Sequence, residues 1–277
     1  MPSLVEGGFL MSRLVSYAGV LLVAGLSSSC FAVTDLDRFK TQEQSAGNFS
    51  DLRLTVRGMT SHTKELFEYR VVDNANVIQS RGFVQPLGGV EATLFVRGAV
   101  PKQNGPFHLD FYADHDDSLG YDQRQGQGDH SWRLPLDDKV QNDQGTFVVL
   151  FDHNTSFSYL NDPSPPREIG KSCVVRLKNM QAFQGKRVEA RVADASSKRV
   201  VALFRVPVAD KPDFDLTIPG MVEPGVTYAV EIYTDDGKAS PGTVKAFRFD
   251  AESAETGLDA TFNAGGPVTQ VDDAVSP

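Results

Sequence analysis

From residue 52 onward, apolar and polar positions alternate in short runs. They are LRLTV, FEYRVV, TLFVRG, FHLDFYA, WRLPL and FVVLF, followed by VVRL, VEARV, VVALFRV, FDLTI, YAVEIY, AFRF and LDATF. Each is rich in β-branched or aromatic residues and is bounded by Gly, Pro or Asp, the composition of a half-buried strand ending in a turn. Beyond the N-terminal segment no stretch carries the 3.6-residue period of an amphipathic helix. Some seven strands of this kind in each half predict an all-β protein of two tandem antiparallel β-sandwiches, immunoglobulin-like or cupredoxin-like.

The two halves are copies. Leu52, Leu54, Val56, Met59, Phe67, Glu68, Arg70, Val71 and Asp73 align at one constant offset with Cys173, Val175, Leu177, Met180, Val188, Glu189, Arg191, Val192 and Asp194. FHLDFYAD (107–114) meets YAVEIYTD (228–235) at the same offset, and DHSWRLPLDD (129–138) faces VKAFRFDAES (244–253) at a shorter one. A period this long is a domain, because stacked repeat units run about 20–50 residues. The predicted plan is a sandwich over 51–160, a linker over 161–171 stiffened by three prolines, a second sandwich over 172–263 and a disordered tail over 264–277.

The N-terminus predicts export. Arg13 is followed by an apolar run from Leu14 to Leu26 and then by small residues, the tripartite form of a signal over 1–32, with a flexible stretch over 33–50. The run is shorter than the roughly 20 residues that span a bilayer. Cleavage before Cys30 would leave a lipid-modified cysteine and a cell-surface or outer-membrane lipoprotein; cleavage after Ala32 would leave a periplasmic or secreted protein. Cys173, the only other cysteine, occupies an apolar strand position, so no disulfide is expected. A formal charge of -9, with no basic run among aromatics, excludes nucleic acid as a partner and favours a cation. Contact with a membrane is expected only through the lipid anchor. The remaining partner is a surface protein or glycan.

All five histidines and the single tryptophan fall in the first copy. If its strands alternate up and down, the segments after the first, third, fifth and seventh share one end, and His62, His115, His130 and His153 converge there. Asp114, Asp116, Asp117, Asp122, Asp129 and Asp152 would join them, while His108 lies within a strand. The second copy carries Phe183, Asp236, Lys245 and Ala264 at the four histidine positions.

Two metal chemistries fit that end. Asp114, Asp116, Ser118, Gly120 and Asp122 occupy positions 1, 3, 5, 7 and 9 of an EF-hand-like calcium loop, although Leu119 and Gln125 stand where glycine and a bidentate glutamate are usual. The bland alternative is a loop whose aspartates cap turn amides. The imidazoles of His62, His115, His130 and His153 fit Zn2+ or copper, with carboxylates orienting the rings; a hydrogen-bonded network bracing the loop is the alternative. Tyr112, Tyr121 and Trp132 offer a platform for sugar or peptide, although alternation places Trp132 in the core. No nucleophile elbow occurs, and paired carboxylates such as Asp116 and Asp122 are the remaining candidates for hydrolysis. A non-enzymatic protein is therefore expected, its alternatives being a metal-free adhesion or carbohydrate-binding module and a Zn- or Cu-binding envelope protein.

The motifs LxLxxxGMxxHxxxxFEYRVVD, LDFYADHDDSLGYD, DHSWRL and FDHNTSF resemble a β-sandwich module of exported bacterial proteins of unknown function. In that module the loop tends to read ADHNGNGxYD, followed by DHAWR. The resemblance covers 52–157 well and 173–264 in outline. It implies a secreted, non-enzymatic module that binds at most a cation through the Asp/Asn loop. The chain departs from it at Leu119, where glycine is expected, and at Asp116 and Ser118, where asparagines are expected.

Overall fold

In a computed structural model the described residues form an all-β fold. The structure describes residues 47–118, 120–121, 128–142, 144–155, 166–235, 245–266 and 270–271. The expected signal segment with Cys30, most of the stretch before β1, the start of the linker, Leu119, Asp122, Gln125 and Asp236 lie outside the described residues.

The first copy supplies β1 (Phe49–Arg57), β2 (Leu66–Val72), β3 (Ile78–Val84), β4 (Ala92–Pro101), β5 (Phe107–Asp114), β6 (His130–Leu136) and β7 (Phe147–Asp152). The second repeats them as β8 (Lys171–Lys178), β9 (Arg187–Asp194), β10 (Val200–Val206), β11 (Phe214–Val222), β12 (Thr227–Asp235), β13 (Lys245–Glu252) and β14 (Leu258–Asn263). The alternation misses β3, because Gln79, Ser80, Arg81 and Gly82 break its apolar pattern. Gly82 is required there, since a Cβ would run into the ring of its cross-strand neighbour Tyr69. The last stretch, expected to be disordered, contributes a short β15 (Gln270–Val271) paired with β13.

Each copy has a small sheet, β4-β1-β7 or β11-β8-β14, packed on a larger one. Pairing is antiparallel except at β1–β7 and its counterpart β8–β14, and at one junction. At that junction β3 and β10 pair in parallel, Gly82 opposite Leu203 and Phe83 opposite Phe204, so the large sheets fuse into one sheet ordered β15-β13-β12-β9-β10-β3-β2-β5-β6. The tandem plan therefore needs an amendment: the sandwiches share a sheet instead of hanging on a linker. What is described of the linker is itself docked, with Ile78 N donating to Arg167 O and Arg81 Nη1 lying 2.8 Å from Glu168 Oε1.

Successive strand residues point to opposite faces. Leu203 belongs to the first core, with Tyr69, Phe111, Trp132 and Phe151, whereas Phe204 stacks on Phe83 in the second, with Val192, Ile232 and Phe262. The two small sheets consequently sit on opposite faces of the fused sheet. Each half then presses on what would be its neighbour's solvent face, and the repeated Glu-x-Arg of β2 and β9 becomes buried. Glu68 accepts from Arg70 Nε at 2.6 Å and Arg81 Nε at 2.5 Å; Glu189 accepts from Arg191 Nε and Arg205 Nε, both at 2.6 Å. Two of these arginines cross the seam, Arg81 to Pro219 O and Arg205 to Thr93 O.

Cys173 lies on β8 between Ile218 and Leu258 and is fully buried, and burial pushes its thiol up to about 12. A thiolate is the reactive form. Cys173 is therefore expected to resist an alkylating reagent at pH 8 in the folded protein and to react promptly in denaturant, as peptide mass mapping would register. Equal rates in both conditions would contradict this burial.

Candidate metal centre

The strand order brings the four connecting segments to one end of the first sandwich. The chain leaves β1 through Gly58, at φ +70, where a Cβ would run into Asn154. A single 3₁₀ turn, Thr60–His62, follows. That turn is held from two sides: His62 N donates to Met59 O and Glu65 N to His62 O, while Leu87 N and Gly88 N of the segment after β3 donate to Glu65 O and Thr63 O. Because β7 runs parallel to β1, with Asp152 opposite Arg57, it delivers His153 to the same place, and His153 N donates to Arg57 O. The β5–β6 ladder ends at Ala113 opposite His130.

Three imidazoles meet there. His62 Nε2 lies 3.3 Å from His130 Nδ1 and 3.4 Å from His153 Nε2. The rings of His130 and His153 stand nearly perpendicular to that of His62, each with its centroid 5.0 Å away. On its far side His62 is fixed by Glu65, whose Oε2 accepts from Nδ1 at 2.6 Å. A carboxylate can only accept, so Nδ1 carries the shared proton, which leaves Nε2 as the ring nitrogen that can accept or ligate on the cluster side. Trp132 forms the floor, its ring 5.9 Å from His62 and 5.6 Å from His153, and is itself packed on Phe111 and Phe151. His62 is 1% exposed, His153 is half-buried and His130 is open to solvent, so the fourth side of the cluster faces water. Burial, then the adjacent His62 ring, holds His130 and His153 below the ordinary imidazole value and favours the neutral, metal-binding form.

The distances are informative. At the Zn–N length of about 2.0–2.1 Å, donors at the corners of a tetrahedron stand about 3.3–3.4 Å apart. The two His62 separations match that edge, and the three donor atoms all lie within 4.8 Å of one another. The carboxylate behind His62 is the orienting partner that metal-bound imidazoles usually have.

His115 converges on the cluster without joining it. Its ring stacks on His130 at 5.6 Å, and Glu65 Oε1 accepts from its Nδ1 at 3.0 Å, so Glu65 bridges His62 and His115. That hydrogen bond, with the Glu65 charge, raises the His115 pKa. His108, on β5, lies 3.7 Å from Asp110, at a distance from the cluster. Glu65 is the functional residue that sequence reading missed; its signal was the His-x-x-Glu spacing, which a 3₁₀ turn places on one side.

The calcium-like loop is more self-contained. Ser118 N donates to Asp114 Oδ1 and to Asp116 Oδ1, both at 3.1 Å, and Ser118 Oγ donates to Gly120 O at 2.8 Å. Two of the five expected oxygen ligands are thus turned on each other. Asp129, outside the expected calcium-loop ligands, joins Asp114 and Asp116 in a carboxylate group whose oxygens lie within 4.8 Å of one another; it directly precedes His130, where the ladder ends opposite Ala113. Its Oδ1 also accepts from His115 N at 3.1 Å. The three-ring platform does not form: Trp132 faces the core, whereas Tyr112 and Tyr121 lie on the other face of the sheet, their rings 5.3 Å apart and the Arg70 guanidinium 5.2 and 5.5 Å from them. In the second copy Phe183 and Phe247 take the places of His62 and Trp132 with ring centroids 6.0 Å apart, and Ala264 packs on the core. The aromatic frame is repeated there and the imidazoles are not.

This fold and site define a double β-sandwich with a three-histidine cluster at one end. No protein-family model matches the chain, and a search of curated proteins finds no match. Among solved structures, the fimbrial anchor protein Mfa2 from Porphyromonas gingivalis is 10% identical, with 72% of this chain and 82% of that one covered at a TM-score of 0.22. The major pilin protein T-13 from Streptococcus pyogenes is 11% identical, with 82% and 93% covered at a TM-score of 0.13. Likeness at this level establishes no shared fold, and no functional argument rests on it.

Proposed function

We propose that this is an exported, non-enzymatic metal-binding protein of the cell envelope whose first sandwich holds one Zn2+ or copper ion through His62, His130 and His153. The carrying observation is the pair of 3.3 and 3.4 Å nitrogen separations around a His62 Nε2 whose lone pair faces inward. Without a metal these contacts are hydrogen bonds in which His62 Nε2 accepts a ring N–H; a cation would replace the shared protons and take the ring nitrogens as ligands. Nitrogen donors select zinc or copper over calcium. The signal-like N-terminus supports export, and Cys30 supports a lipid anchor. The second sandwich serves as a scaffold whose matching end is closed with phenylalanine. For the Asp114, Asp116 and Asp129 group a calcium role is the second reading, favoured by the convergence of its three carboxylates.

Trp132 makes the test direct, because it is the only tryptophan and touches the cluster. Cu2+ is expected to quench its fluorescence with a break at one ion per chain, and Zn2+ to compete for the same site. His130→Ala with His153→Ala should abolish both effects while leaving the fold intact by circular dichroism. Unsaturable quenching, or quenching that survives in the double variant, would sink the proposal.

A further inference from the structure

At the opposite end of the first sandwich, where β1 and β5 begin and β4 ends, the seam between the halves opens into a cleft of about 290 Å3. Phe49, Gln79, Gln103 and Asn104 line it from the first copy, and Arg199 enters from the second, just before β10. The cleft is a product of β3–β10 pairing, since neither copy alone supplies both the aromatic wall and the guanidinium. Clefts at such junctions are common ligand sites, and this volume is near the lower limit of the usual range of about 300–1,000 Å3, a size for one small ligand.

Arg199 is held in place with no carboxylate in contact, although Asp194 and Glu223 act on it from farther off. Its guanidinium lies over Phe49, 5.1 Å from the ring centroid, and Nη2 donates to Gln79 O. Its Nε is shielded from solvent and has no acceptor, and no carboxylate among the described residues pairs with it. Burial lowers its pKa below the ordinary arginine value. A guanidinium removed from water with no counter-ion in contact is costly, and its planar fork suits a carboxylate. Elsewhere at this seam the buried arginines have glutamates: Arg81 has Glu68 and Arg205 has Glu189.

The surroundings narrow the ligand. Asn48, Gln103 and Asn104 contribute carboxamides, each both donor and acceptor, as a ligand with several hydroxyls requires, while the Gln79 amide is turned to Asp73. Phe49, Phe107 and Pro101 give apolar surface to a ring face. The rim is anchored: Lys102 N donates to Asn48 O at 2.8 Å, and Asn104 takes a left-handed φ of 69. We propose that this cleft binds a hexuronic acid, free or as the terminal unit of an acidic glycan, with Arg199 taking the carboxylate and the carboxamides taking the hydroxyls. This site is independent of the metal reading.

The test is calorimetric titration of the full two-sandwich protein with glucuronate, galacturonate and an oligouronide. Methyl glucoside, acetate and an acetylated dipeptide acid serve as the other arms. Saturable binding of at least one uronate is expected, with the neutral sugar, acetate and the peptide at least about tenfold weaker, the size of one charge-assisted hydrogen bond. A monomer binding as tightly as the oligouronide identifies a free acid; tighter binding of the oligouronide identifies a glycan end. Arg199→Gln should lower the affinity at least about tenfold and leave metal quenching of Trp132 unchanged. Should Arg199→Gln fail to fold, Gln103→Ala with Asn104→Ala on the exposed rim is expected to weaken uronate binding as well. No saturable uronate binding, equal binding of any control ligand, or unchanged affinity in the folded variants would overturn the assignment.

Discussion

Glu189→Gln is expected to lower the free energy of unfolding by about 3–5 kcal/mol at neutral pH, the range for removing one partner of a buried ion pair. Glutamine keeps the volume and shape, so the loss is the charge that two arginines face. Glu189 is 3% exposed, Arg191 0% and Arg205 5%, which leaves no solvent to take over. Arg191 depends on it heavily, because its Nη1 and Nη2 find no acceptor and only Nε is paired. Glu252→Gln makes the same charge change on the surface of β13 and should shift stability by no more than about 0.5 kcal/mol. Denaturant titration of the two variants measures the difference. A loss below about 1 kcal/mol for Glu189→Gln would mean that water reaches the seam. Since Arg205 also bonds Thr93 O of the other half, both sandwiches are expected to unfold in one transition.

The same residue sets a pH dependence. Burial opposes the Glu189 carboxylate, but Arg191 and Arg205 outweigh it and hold its pKa down at about 2. A carboxylate depressed in the folded state contributes fully above its unfolded-state value, about 4.3, and progressively less as pH falls toward the folded one. The gap between the wild type and Glu189→Gln should therefore close between about pH 4.5 and pH 2. A gap that stays constant over that interval would locate the stabilisation elsewhere.

The second large effect is stabilisation by the proposed metal. Zinc at about 100 times its dissociation constant should add roughly 2.7 kcal/mol. For a chain of this size that raises the melting temperature by about 5–10 °C. His62→Ala should remove the shift, because this ring touches both others and is buried against Trp132. Glu65→Gln should weaken binding about 10–100-fold without abolishing it, the usual cost of losing an orienting carboxylate. Metal and proton compete for the same lone pairs, so the shift should fade as pH drops below the imidazole range near about 6.5. Calcium should leave the His62→Ala response unchanged. A calcium shift abolished by Asp114→Ala with Asp122→Ala would instead establish the loop site. Scanning calorimetry with and without a chelator distinguishes these outcomes, and a melting temperature indifferent to every ion would remove both metal readings.

Much of this end of the molecule was legible in the sequence. Period-two alternation marked most strands of the first copy, and an even number of strands between the histidine-bearing segments, four and then two, is enough to carry His62, His130 and His153 to one end. Glu65 and Asp129 were harder to see, because their roles depend on a 3₁₀ turn and on a ladder that closes a long loop. Tyr112 and Trp132 share one strand pair, yet neighbouring strand positions alternate faces; one ring went to the core and the other to Arg70, and the expected platform dissolved. The polar character of Glu68, Arg70, Glu189 and Arg191 gave a misleading signal, since such residues usually mark the wet face of a sheet.

Local pattern alone determined that the chain is β-structure, that it is a duplication, and that only the first copy places histidines at one end. Tertiary structure alone decided that β3 and β10 join the two sheets, which buries the repeated Glu-x-Arg pairs and brings Arg199 against Phe49. It also decided that His115 braces the cluster while three other rings converge. The physical reason is one of range. Alternation is a property of neighbouring residues and is written in any short window, whereas a strand edge has unpaired backbone groups that accept many partners, and only the packing of whole sheets selects one.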